Sequence, residues 1–145
     1  MLRLCRLLCH WFMIESKTTL RVRYAETDGM GIVYHGNYLT WFDVARIEML
    51  DNIGAPYRTL ELEGYQLPVI EAQISYKRPA MFDDRITVHT TIRECPAVRI
   101  EVDYSVQRGE VLLATGKTSH AFISSEGYPV KPPPHFMDVV RKYFS

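Results

Sequence analysis

The stretch "ETDGMGIVYHGNY" (26–38) runs directly into "LTWFDVARIEMLDNIG" (39–54), and the reading of this junction decides the fold. Leu39, Phe42, Ala45, Met49 and Ile53 recur at steps of three and four, the spacing of a helix face. Trp41, Val44, Ile47 and Leu50 fill the other faces and leave Asp43, Arg46, Glu48 and Asp51 as the charged residues. The spacing predicts a helix over 37–53 that is buried on most sides and ended by Gly54 and Pro56. Just ahead of it, an acid, a histidine and three glycines crowd a segment that a plain connector would not need.

Outward from the helix the period changes to two. Leu20, Val22 and Tyr24 alternate with Arg21 and Arg23, which predicts a half-buried strand over 18–24. Alternation returns over 69–77, 85–93 and 98–107, and after Gly109 a fourth long strand, with weaker alternation, runs through "VLLATGKTSHAFIS". "KPPPHF" breaks the pattern before a short terminal helix. Strands with one apolar face and short connections predict an antiparallel meander. A single such sheet and a single apolar helix bury each other when the sheet curls around the helix, an α+β architecture of five strands and one long central helix.

A chain of 145 residues is the size of one domain, and we take 1–145 as such. Its net charge of zero gives no electrostatic footprint for nucleic acid. Three cysteines, Cys5, Cys9 and Cys95, form no disulfide framework, which favours a reducing, cytoplasmic setting. Cys5, Cys9 and His10 lack a second ligand pair, so no metal site is expected. The basic, apolar leader 1–12 is too short to span a bilayer, and Met13 offers a second start that would make the leader dispensable. "TGKTS" (115–119) imitates the end of a phosphate loop, but Val111 stands where the first glycine belongs.

The candidate chemistry therefore lies in 26–38. By composition alone Asp28-Gly29 is an ordinary turn pair, His35 an ordinary structural histidine, and Glu48 an ion-pair partner for a neighbouring arginine such as Arg46. Position adds a second reading. The segment delivers the chain to a helix N-terminus, whose free N–H groups carry partial positive charge. A carbonyl placed on those donors would be polarised as in an oxyanion hole, with Asp28 at hand as base or nucleophile.

"YAETDGMGIVYHGNYLTWFDVARIEML" and "ISYKRPAMFDDRITV" (74–88) resemble the two recurring blocks of the 4-hydroxybenzoyl-CoA thioesterase-like hotdog family, of the Tol-Pal-associated acyl-CoA thioesterase type. The resemblance implies a hotdog fold and hydrolysis of an acyl-CoA substrate, without metal or redox cofactor. It implies Asp28 as the catalytic aspartate and the main-chain N–H of His35 as the group that polarises the thioester carbonyl. Tyr34, Gly36 and Asn37 fall on motif positions as substrate-binding candidates. It also implies a homo-oligomer, a dimer or a homotetramer, with sites at subunit interfaces. Arg58, Lys77, Arg78, Arg93 and Lys117 are candidates for the CoA phosphates, with Lys77 and Arg78 inside the second block. Trp41, Phe42, Tyr57 and Phe82 are candidate walls of an acyl pocket. Two other functions fit such a chain: a non-hydrolytic acyl-carrier-protein or acyl-CoA binder, and a hotdog dehydratase.

Overall fold

The computed structural model describes residues 13–29 and 31–144. The leader, with Cys5, Cys9 and His10, lies outside the described residues. In chain order come β1 (Ile14–Arg21), a single 3-10 turn (Tyr24–Glu26), α1 (Asn37–Ile53), α2 (Tyr57–Leu62), β2 (Tyr65–Gln66) and β3 (Val69–Tyr76). They are followed by β4 (Arg85–Ile92), β5 (Arg99–Arg108), β6 (Val111–Ala121), β7 (Ile123–Ser124) and α3 (Pro134–Arg141). The main sheet is five-stranded and antiparallel, in the order β1-β4-β5-β6-β3, and β2 pairs with β7 separately. The expected architecture is present: a five-stranded antiparallel sheet against one long helix.

Helix α1 starts and stops where its sequence says. Gly54 takes a left-handed φ of 89°, and the Ala55 N–H returns to Leu50 O at 2.9 Å, satisfying a carbonyl that the helix end leaves open. Tyr38, Trp41, Phe42, Ala45, Met49 and Leu50 are buried on the face toward the sheet. They meet an inner sheet face that includes Ile86, Val88, Val102 and Val106, all fully buried. Burying one such side chain stabilises the fold by roughly 1.5–3 kcal/mol. Phe42 stacks on Tyr104, with ring centroids 4.2 Å apart and planes 9° from parallel. Gly116 in β6 makes room for that ring, because a Cβ there would collide with the Phe42 side chain. "TGKTS" is thus a strand whose glycine serves helix packing.

Three expectations need correction. The first strand covers 14–21, not 18–24: Ile14 and Thr18 are the buried positions, whereas Tyr24 is 77% exposed in the 3-10 turn. Helix α1 is buried on one side only, since Leu39, Val44 and Ile47 are exposed and Arg46 is buried. Finally, the strands after the helix are not a plain meander. β1 pairs with β4 residue for residue from Ile14↔Ile92 to Arg21↔Arg85. With that side of β4 taken, β3 pairs with β6 at the opposite edge. Residues 77–84 carry the chain across, tied by Arg108, whose Nη1 donates to Asp84 Oδ2 at 2.7 Å.

Candidate active site

The segment between the 3-10 turn and α1 folds back on itself. The Asp28 N–H donates to Ile32 O at 2.8 Å and the Gly31 N–H to Asp28 O at 3.2 Å. Gly31 has φ 80°, a left-handed turn position that a residue with a Cβ takes only with strain. Thr27 bridges Val33, closing the base of the loop. The chain then enters α1 through Tyr34, His35 and Gly36. Asn37 donates its main-chain N–H to Tyr34 O at 3.0 Å and its side-chain Nδ2 to Glu26 O at 2.8 Å. Among the described residues, the N–H groups of His35 and Gly36 have no acceptor. They are the donors that a helix entry leaves open.

A groove of about 360 Å³ opens at this entry, lined by Ile32, Val33, His35, Tyr38, Tyr76, Lys77, Arg78 and Pro79. Its far wall is the end of β3 and the start of the crossover. The N–H groups of Lys77 and Arg78 both donate to Leu113 O, at 2.8 and 3.0 Å, which fixes the backbone that carries these two exposed cations. The Tyr76 hydroxyl donates to His35 O at 2.9 Å and so ties the far wall to the helix entry. Burial pushes the Tyr76 hydroxyl up, with Tyr34 nearby adding to it, so it remains a donor at neutral pH. Burial likewise raises Tyr38, whose oxygen accepts the Ala80 N–H at 3.3 Å.

The structure brings His35, Lys77 and Arg78 together in the groove, with Asp28 half-buried in the adjoining turn. Tyr34 lies against the His35 ring, with centroids 4.3 Å apart, and covers Gly36. Asn37 spends a side-chain donor on the loop base. Arg93 and Lys117 sit elsewhere, on the outer face of the sheet, where Arg93 pairs with Asp103 at 3.1 Å. Arg58 is exposed on α2. The aromatic candidates separate as well. Trp41 and Phe42 belong to the core, Tyr57 accepts the Leu67 N–H, and Phe82 packs edge-on to Tyr24. None of them lines the groove, whose aromatic walls are Tyr38 and Tyr76.

Two groups escaped the sequence reading. Glu26 is buried and accepts the Trp41 indole N–H at 2.7 Å and the Arg23 N–H at 2.8 Å. Arg46 is buried in mid-helix, where it donates to Leu67 O at 3.1 Å and to His120 Nδ1 at 2.8 Å and pairs with Asp43 at 3.2 Å. The expected Arg46–Glu48 ion pair does not form, because residues two apart on a helix point in different directions. Burial, then the neighbouring Arg46 guanidinium, pushes His120 down to about 4, so it is neutral at pH 7. Its Nε2 meets Thr118 Oγ1, which meets the Tyr104 hydroxyl, each at 2.8 Å. Among the described residues no cluster of His, Cys, Asp and Glu could hold a metal, and no helix is long and apolar enough to cross a membrane.

The chain is similar to known proteins. Residues 22–140 match the thioesterase-like superfamily. The "Putative acyl-CoA thioesterase YneP" of Bacillus subtilis (strain 168) is 36% identical over 118 residues, covering 80% of this chain and 85% of the relative. A "Putative esterase" of Aquifex aeolicus (strain VF5) is 31% identical over 121 residues, covering 83% and 94%. The solved DHNA-CoA thioesterase from Staphylococcus aureus superposes with a TM-score of 0.83 at 32% identity, covering 89% of this chain and 88% of that one. With a match that spans the loop, the helix and all five strands of the sheet except β1, the chain belongs to the thioesterase-like superfamily and has its hotdog fold.

Proposed function

We propose that this protein is an acyl-CoA thioesterase that hydrolyses its substrate at the entry of α1. The observation that carries the reading is the pair of open N–H groups, His35 and Gly36, at the mouth of a groove flanked by Asp28's turn. The thioester carbonyl oxygen accepts from these donors, which stabilise the oxyanion as the carbonyl carbon becomes tetrahedral. Asp28 either takes a proton from the attacking water or attacks the carbon itself, giving an anhydride that water then opens. In both routes the C–S bond breaks, CoA leaves as the thiol once protonated, and the acid is released. Tyr34, Gly36 and Asn37 shape the carbonyl end of the site. Lys77 and Arg78 face the phosphates of CoA across the groove.

The reading extends to assembly. β3 is exposed along nearly its whole length, with Val69, Ile70 and Tyr76 each about half exposed, and an open strand of this kind invites pairing. Pairing of β3 with a second copy builds a continuous sheet and brings a second chain to the groove, as a dimer or, through a second contact, a homotetramer. The whole chain acts as one cytoplasmic domain, with residues 1–12 dispensable. The relatives' names favour an enzyme over a binder.

The test is thiol release from acetyl-, hexanoyl- and benzoyl-CoA and from the corresponding acyl-carrier thioesters. Repeated turnover with at least one of them is expected. Tight binding of the thioesters without release of free thiol would replace this reading with that of a binding protein.

A further inference from the structure

Glu26 stands two residues before Asp28, yet it is not among the residues that line the groove. Among the described residues it is the one buried acid, at 5% exposure. Its two carboxylate oxygens are both used: Oε1 accepts the Arg23 N–H and Oε2 the Trp41 indole N–H. Its main-chain oxygen is also used twice, by the Tyr34 N–H at 2.9 Å and by Asn37 Nδ2 at 2.8 Å. Both ends of the loop therefore converge on one residue, which is itself bolted to the second turn of α1 through Trp41.

The consequence for the site follows from peptide geometry. In a trans peptide the C=O and the following N–H point in opposite directions. The Tyr34 carbonyl is turned toward the Asn37 N–H, so the His35 N–H is turned the other way. Glu26 fixes the neighbours that hold this peptide, Tyr34 and Asn37, and at the same time the start of the turn that carries Asp28.

We infer that Glu26 is a positioning residue for thioester hydrolysis: its carboxylate locks the distance and angle between Asp28 and the oxyanion donor without touching substrate. The inference rests on the thioesterase reading above. Solvent-exposed Arg23, 3.5 Å from Oε1, is the only cation paired with the carboxylate among the described residues. The indole N–H and the Arg23 N–H are therefore the contacts that matter.

Glu26→Gln tests it. A glutamine offers one oxygen to two N–H donors, so its own NH2 must face one of them, and the Trp41 indole is the less adaptable. Thiol release from the acyl-CoA that the wild type turns over is expected to show kcat lowered at least about tenfold with KM changed less than about threefold, the pattern of a site whose geometry is spoiled after substrate is bound. Amide hydrogens of residues 31–37 are expected to exchange faster. Trp41→Phe added to Glu26→Gln removes the opposed donor and is expected to recover at least about threefold in kcat. Val140→Ala, on the buried face of α3, provides a destabilised variant that is expected to keep kcat within about twofold, separating geometry from general stability.

A folded Glu26→Gln with wild-type kcat would overturn the inference while leaving the thioesterase reading intact. Should Glu26→Gln fail to fold, Trp41→Phe alone decides. Lowered kcat with faster exchange at 31–37 supports the inference, and unchanged kcat overturns it. A wild type that releases no thiol from any acyl-CoA would overturn the reading itself.

Discussion

Helix α1 carries two polar clusters that differ in almost every physical respect. At its entry, His35 lines a groove beside the turn that carries Asp28, and the His35 and Gly36 N–H groups have no acceptor among the described residues. In its middle, Arg46, His120, Thr118 and Tyr104 are buried and bonded to one another in a chain, with Arg46 Nε left as the one side-chain polar atom of the four without a partner among the described residues. Polar groups sealed in a core must find each other or cost stability. Polar groups left open at a helix end are free to act on substrate. On the reading proposed above, function belongs to the entry and stability to the middle.

The largest effect is expected at the entry. Asp28→Asn keeps the size and turn preference of the residue but removes the carboxylate, so thiol release should fall at least roughly a hundredfold. Binding and melting temperature should stay close to wild type, because in the proposed site main-chain N–H groups, not this side chain, hold the carbonyl. The mutant therefore separates the clusters in one direction.

The open edge comes next. Ile70→Lys with Ala72→Lys places charge along β3 and should convert a dimer or tetramer to monomer by light scattering. Turnover should drop about tenfold or more if the second copy completes the groove, on the scale of lost positioning. A monomeric variant of full activity would show that one chain holds the whole site.

The middle responds to pH instead. His120 is neutral in the fold, facing Arg46 from α1, the Leu67 carbonyl, Thr118 beside it on β6 and Glu101 from β5. Its folded value of about 4 lies below the ordinary 6.5, so the unfolded chain takes up the proton first as pH falls. Stability from this group is complete above about pH 6.5 and is lost between there and pH 4, by about 3 kcal/mol in total. Melting curves across that window should show the slope, and His120→Gln should flatten it. The smallest effect expected is none. A chain beginning at Met13 should match the full chain in melting temperature and turnover, since every residue named in the two clusters follows Met13 in the sequence.

How far these clusters could be read from the sequence depended on whether the signal was local. The helix bounds and the spans of β4 and β5 follow from periods of 3.6 and 2, since one face of each element is apolar. The first strand begins earlier than the alternation suggests because a buried threonine, Thr18, interrupts its apolar face, while Tyr24, 77% exposed, continues the alternation of Leu20 and Val22 past the strand's end. The edge position of β3 was hidden, as the choice of β6 over β4 is a long-range pairing that no local pattern records. At the site, the entry loop announced itself through its glycines and its acid. Glu26 did not, because its partners Trp41 and Asn37 lie more than ten residues away. Arg46 had a signal that went unused: Phe42 and Leu50 flank it at four residues on either side, placing it on the buried stripe.

The central claim is that the chemistry sits in the loop and not on the helix, and Glu48 is the carboxylate that can refute it. Glu48 lies half-buried on α1, a carboxylate on the helix itself. The decisive measurement is thiol release by Glu48→Gln, set beside Asp28→Asn under the same conditions. The account predicts that Glu48→Gln retains turnover within about twofold of wild type while Asp28→Asn loses roughly a hundredfold, the scale of a missing acid-base group. A Glu48→Gln protein that melts like wild type but releases no thiol, beside an active Asp28→Asn, would contradict it and move the chemistry onto the helix.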